Sequence, residues 1–306
     1  MRRSITAGLR DRTTAPKALI ASLLALGAIG PAASSSGSGR GDGGDLPRGG
    51  DRIFPKHRVV AFYGAPQSPE LGELGIGSAR RAAARLRAQA RPYGRLGGKR
   101  ILPAFELIAS IALDSPGADG LYRARQPARV IRRYLRVARR ERLLLLLDLQ
   151  PGRSTFIREA RRLKPFLRHP NVGLALDPEW NMGPDGVPGE RVGSADARAI
   201  NRVSRLMARI VRRRRLPQKL LVVHQFTEAM VRGEGRLEAR RNVAVVMNAD
   251  GFGTQAQKRA KYRQLAPPRR SPLEPGVKLF YREDTDLMSP RQVLDLDPTP
   301  RFVVYE

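Results

Sequence analysis

The chain has 306 residues and carries 57 Lys and Arg against 28 Asp and Glu, a formal net charge of +29. It has no cysteine, which excludes disulfides, thiolate metal sites, a thiol nucleophile and a lipoprotein anchor. Three histidines, His57, His169 and His224, argue against a multi-histidine metal centre. Aromatic residues make up 6% of the chain, and no basic stripe carries interleaved Phe or Tyr, so nucleic-acid binding is not expected.

The N-terminus reads as an export signal. Arg2, Arg3, Arg10, Arg12 and Lys17 precede the apolar run Ala18–Ala33, which is too short and too broken by Gly and Pro for a membrane span. Residues 1–33 are therefore expected to be a signal peptide or an uncleaved N-terminal anchor. Residues 34–52, rich in Gly, Ser and Asp, are expected to be a flexible linker. Both point to a secreted or extracytoplasmic protein.

From Ile53 onward, short apolar runs alternate with Arg- and Ala-rich helical stretches. The strand-like runs are Arg58–Gly64, Ile101–Glu106, Leu143–Gln150, Val172–Glu179, Lys219–Phe226, Val243–Asp250, Val277–Glu283 and Phe302–Glu306. They are continuous rather than alternating, as strands buried on both faces should be. The predicted helices include Ser78–Ala90, Pro127–Arg140, Thr155–Leu167 and Ala195–Arg214, the last capped by Ser194 or Asp196. The helices after Phe226 and after Ser289 look short.

Eight strands alternating with helices, in a globular part of about 250 residues, predict an α/β fold of the (β/α)8 barrel type. The eighth strand runs to Glu306, so the last helix is expected to be absent, with Ile53–His57 closing the barrel bottom. The arginines fall on the solvent faces of the helices rather than in one arm. The other reading of the charge is an anionic partner such as the cell envelope.

Barrel enzymes carry their chemistry at the C-terminal ends of the strands. Those ends read Tyr63, Glu106, Asp148 and Gln150, Asp177 and Glu179, His224 and Gln225, Asn248 and Asp250, Tyr281 and Glu283, and Glu306. Acidic and polar side chains thus converge on one mouth of a basic protein. The sharpest motif is Asp177-Pro178-Glu179-Trp180. Residues two apart in a strand share a face, so Asp177 and Glu179 are expected to face the mouth together. Two close carboxylates push their pKa values apart and leave one protonated. Trp180, the single Trp of the chain, stands where a sugar ring can stack. The alternative is a capping Asp and a salt-bridged Glu under a packing Trp. The Gly- and Pro-rich loop Asn181–Gly193 is long enough to form a lip.

The Asp-x-Glu of Asp177–Glu179 resembles the end of the signature of family 18 chitinases and is also similar to family 25 lysozymes. Val59–Tyr63 is similar to the first strand of family 18. Met247–Asp250 is similar to its Met-x-Tyr-Asp, with Ala249 at the Tyr position, and Phe302–Glu306 to its last strand, with Tyr305 at the usual Trp position. Glu179 and Glu283 also match, by position, the acid/base and nucleophile of the large clan of retaining glycosidases. The resemblance implies a glycoside hydrolase acting on a polysaccharide or cell-wall glycan. Glu179 would be the acid, Asp177 its partner and Glu283 the nucleophile or base. Trp180, Tyr63, Tyr281, Glu106, Asp148, Gln150, His224, Gln225, Asn248 and Asp250 would bind substrate. No cofactor or metal is expected, and the chain is expected to be a monomer. Two other readings stay open. One is a non-catalytic glycan-binding barrel. The other is a metal-dependent hydrolase, with Ca2+ or Mg2+ at Asp148, Asp177, Glu179 and Asp250.

Overall fold

The structure, a computed structural model, describes residues 44–306. The expected signal segment and the first part of the expected linker lie outside the described residues. Eight parallel strands close into a barrel: β1 His57–Gly64, β2 Arg100–Ala112, β3 Leu144–Leu149, β4 Val172–Leu176, β5 Lys219–Gln225, β6 Val243–Ala249, β7 Glu274–Leu279 and β8 Phe302–Tyr305. Closure is made by β1, which pairs with β2 on one side (His57 opposite Arg100) and with β8 on the other (Val59 opposite Phe302).

The helices sit on the outside: α1 Ala79–Gly97, α2 Ala128–Arg140, α3 Phe156–Arg162, α4 Lys164–Leu167, α5 Ala197–Arg214, α6 Gln255–Leu265 and α7 Pro290–Leu294. Ser78, Thr155, Asp196, Thr254 and Ser289 cap α1, α3, α5, α6 and α7 by accepting a backbone N–H with their side chains. The single helix expected over Thr155–Leu167 is two. Pro165 opens α4 and has no N–H to extend the α3 ladder. Between β5 and β6 the chain makes two 3-10 turns, Glu228–Met230 and Glu234–Arg236, and a two-residue strand, Val231–Arg232, that pairs in parallel with Ala195–Asp196. Arginines on α2 and α5 lie on the exposed faces, with Ile131, Tyr134, Leu135, Ile200, Val203 and Met207 on the buried ones. No helix of the described residues is long and apolar enough to cross a membrane.

The core has two layers. Between sheet and helices lie the outward residues of the strands, among them Phe62, Phe105, Leu145, Leu147, Leu174, Leu221, Val245 and Val303. Inside the barrel lie the alternate ones: Val59, Ala61, Leu102, Ala104, Leu144, Leu146, Leu220, Val222, Ala244, Val246, Phe302 and Val304. The five consecutive leucines Leu143–Leu147 feed both layers. All are buried, each stabilising by roughly 2 kcal/mol. Ile53 and Phe54 seal the bottom together with Leu46, a residue inside the stretch expected to be linker.

β2 departs most from expectation. The strand continues past Glu106 to Ala112, where Arg123–Arg125 pairs with it antiparallel. A buried ion-pair network anchors this extension. Glu159 on α3 accepts hydrogen bonds from Arg123 Nε at 3.0 Å, Arg125 Nε at 2.7 Å and Ser154 Oγ at 2.6 Å. Burial opposes the charge on Glu159, but these partners outweigh it and lower its carboxyl to about 2. A depressed carboxyl stabilises above its unfolded pKa, and the stabilisation is lost as pH falls from the usual carboxylate range toward about 2. Glu159→Gln should leave Arg123 without its buried partner and lose about 3 kcal/mol in urea denaturation at pH 7. Equal loss at pH 7 and pH 2 would contradict an ionic origin.

Candidate active site

Above the apolar layers the barrel interior becomes polar. The inward positions at the upper ends of the strands are Tyr63, Glu106, Asp148, Asp177, His224, Asn248, Asp250, Lys278 and Glu306, and all but Glu306 are buried. Glu106 is level with Tyr63 on the neighbouring strand, so it belongs to this layer although β2 runs on above it.

His224 is the hub. Its Nε2 lies 2.7 Å from Glu106 Oε1 and its Nδ1 lies 3.0 Å from Asp250 Oδ2. Asn248 lies 3.2 Å from the same Nδ1. Burial disfavours the imidazolium, but the Glu106 charge and the hydrogen bonds to both carboxylates raise the His224 pKa well above its ordinary value. Asp250 also receives the Gly251 N–H at 2.7 Å and pairs with Lys278 Nζ at 3.3 Å. Burial opposes its charge too. Lys278 and His224 prevail and hold its carboxyl well below the usual range. Lys278 bridges on to Glu306 at 2.6 Å and lies 4.1 Å from the centroid of the Tyr63 ring. Gly276, two residues earlier on β7, makes room for this layer. A Cβ there would meet Asn248 Oδ1 at 2.8 Å.

On the other side, Gln150 Nε2 donates to Tyr63 Oη at 3.0 Å, and Tyr63 donates to Asp148 Oδ2 at 3.0 Å. Gln150 Oε1 accepts from Ala112 N. Burial, with the nearby Glu106 charge, raises the Asp148 carboxyl to about 7, against the pull of His224. Asp177 is 2% exposed, and its side chain makes no hydrogen bond or ion pair within the described residues. Burial, then Glu179 and Asp148, raise its carboxyl well above the ordinary value.

Glu179 reaches the mouth by a route different from the expected one. β4 ends at Leu176, and Pro178 opens a 3-10 turn over Pro178–Trp180. The turn, not strand alternation, carries Glu179 above Asp177. Its carboxyl is half-buried and makes no hydrogen bond or ion pair within the described residues. Burial, then Asp250, push it up to about 7, with Lys278 and His224 pulling the other way. The turn is pinned from behind. Gly193 N donates to Glu179 O at 2.6 Å, Asn181 Nδ2 donates to Ser194 O at 2.7 Å, and Met182 N donates to Gly152 O at 2.9 Å. A Cβ at Gly193 would meet Glu179 O at 2.6 Å and Asn181 O at 2.7 Å. Gly193→Ala should therefore displace the Pro178–Trp180 turn and the Glu179 carboxyl with it, with the fold intact. Unmoved backbone resonances over Pro178–Trp180 in the variant would mean that Gly193 does not hold this turn.

Trp180 is half-buried at the lip, and Phe252, 47% exposed, packs edge-on against Phe280 at 6.0 Å. Three expected site residues lie elsewhere. Tyr281 stacks on Tyr305 at 5.2 Å on the helix side of the sheet. Gln225 faces outward and donates to Glu234 Oε2 at 3.3 Å. Glu283 is exposed on the turn after β7, which already ends at Leu279. Its buried neighbour Asp284 instead accepts from Phe280 N and Gly253 N and pairs with Lys258 at 3.3 Å. Lys278 was missed. Its trace in the sequence is a lone cation inside the apolar run Val277–Phe280, at an inward position.

Six carboxyl groups (Glu106, Asp148, Asp177, Glu179, Asp250 and Glu306) thus face two cations, His224 and Lys278. Asp250 keeps its charge, while burial moves Asp148, Asp177, Glu179 and Glu306 toward the protonated form. The arrangement can hold a proton at the lip beside a fixed negative charge. No protein-family profile matches the chain, and no curated protein matches it.

Proposed function

We propose that the protein is an exported glycoside hydrolase acting on a polysaccharide, with Glu179 as general acid. One arrangement carries the reading: the half-buried Glu179 carboxyl, pushed up to about 7 by burial and by Asp250, stands over an Asp250 that Lys278 and His224 hold well below the usual carboxylate range. Environments that drive two carboxyls apart in pKa assign the acid and the anion. Glu179 protonates the leaving oxygen. Asp250 stabilises the positive charge that develops on the sugar ring. Glu306, half-buried and ion-paired to Lys278, takes the second-carboxylate role expected of Glu283. Trp180 and Phe252 offer apolar faces to sugar rings.

The glycan-binding reading has support of its own. The deep carboxylates are closed off from solvent, and two surface hollows lie at the opposite, basic end. They are lined by Pro55, Lys56, Gly98, Lys99, Arg100, Arg48, Ile101 and Arg142. That end suits contact with an anionic cell envelope. Incubation with a panel of wall polysaccharides, followed by reducing-end measurement and pull-down, separates the readings. Release of reducing ends is expected. Retention on a polysaccharide without release would leave the binding reading alone standing.

A further inference from the structure

We infer that Glu106, Asp148 and His224 form a binding site for one divalent transition-metal ion beneath the mouth. This goes beyond the hydrolase reading and does not depend on Glu179. The three side chains come from β2, β3 and β5, so rigid strands hold them. One carboxylate oxygen from each acid and one imidazole nitrogen lie within 4.8 Å of one another.

Orphaned buried atoms point to a ligand there. Glu106 Oε2 and Asp148 Oδ1 are buried without a hydrogen-bond partner. Each residue is 0% exposed. The opposite oxygens are engaged, Glu106 Oε1 by His224 and Asp148 Oδ2 by Tyr63. One proton between Glu106 and His224 satisfies that contact but neither orphan. Buried polar atoms are paired in nearly every case, and leaving them bare is costly. A cation among the three residues satisfies both acids at once. Asp177 Oδ1, also buried and unpartnered, is a further oxygen just past the end of the adjacent strand β4.

The second layer has the form that metal-binding histidines use. Asp250 lies 3.0 Å from His224 Nδ1 and is itself held by Lys278 and Gly251 N. A carboxylate on Nδ1 fixes the ring, and Nε2, which lies 2.7 Å from Glu106 Oε1 without an ion, releases its proton when the metal takes its place between them. One imidazole nitrogen with carboxylate oxygens and no thiolate selects Zn2+ or Mn2+ over soft ions.

The test uses the full chain, stripped with EDTA, incubated with Zn2+ or Mn2+, passed over a desalting column and analysed for metal. About one ion per chain is expected. Glu106→Gln and Asp148→Asn should each weaken binding by about 100-fold or more, and Asp250→Asn by about 10-fold. Glu179→Gln should bind as the wild type does, so loss of hydrolysis and loss of metal are read separately. No retained ion, or retention unaltered in Glu106→Gln and Asp148→Asn, overturns the site. Should those variants fail to fold, Co2+ added to the wild-type chain still decides. Shifted His224 imidazole resonances are expected, and unmoved ones overturn the assignment.

Discussion

Glu179→Gln should lower kcat/KM on the responsive polysaccharide by about 1,000-fold while leaving KM and the melting temperature nearly unchanged. General acid catalysis contributes roughly 100- to 10,000-fold, and an amide of the same shape cannot supply the proton. The variant should fold because Glu179 makes no hydrogen bond or ion pair within the described residues, so no buried partner is orphaned by the change. The direction of the pH dependence follows from the shifted carboxyl. The acid works while protonated, so wild-type activity should fall as pH rises through about 7. Progress curves from pH 5 to 9 would check this. A variant that retains turnover would sink the assignment of Glu179. A parallel loss in an Asp250→Asn variant is expected, since the anion beside the acid would be gone.

The barrel was legible because its strands are buried on both faces. Leu143–Leu147 and Val243–Met247 have no alternation to confuse with a surface strand, and the arginine-rich helices between them carry three- and four-residue apolar spacing. The convergence of Glu106, Asp148, Asp177, Glu179, His224 and Asp250 was legible for the same reason, because strand ends in a closed parallel barrel meet at one mouth. Faces were harder to read. Tyr281 and Gln225 stand one residue from inward positions, and a one-residue step reverses the side. Glu283 was misplaced because β7 ends at Leu279, with Tyr281 N then bonded to Glu306 O in a turn. Lys278 was hidden by its charge, since a lysine within an apolar strand reads as an edge or a stray. Only the two carboxylates that neighbour it in space, just after β6 and just after β8, make a buried ammonium affordable, and those contacts are invisible in one dimension.

Lys278→Met is expected to be the most destabilising single change at the site, by about 3–5 kcal/mol in denaturant titration at pH 7. The methionine fills similar volume, so the loss reports the charge rather than a cavity. Without the ammonium, Asp250 and Glu306 keep their burial and lose their 3.3 and 2.6 Å partner. Asp250 retains His224, which limits the damage, while Glu306 has no other ion pair within the described residues and should take up a proton. The same change reaches the acid. Lys278 is one of the groups that pull the Glu179 carboxyl down against burial and Asp250, so its removal lets that carboxyl rise. The activity remaining in Lys278→Met should therefore persist to higher pH than in the wild type, with the descending limb moved up. Lys278→Arg keeps the charge and should return most of the stability and the wild-type limb. A Lys278→Met variant with an unmoved limb would separate the ammonium from Glu179 and reduce its role to holding β6, β7 and β8 together.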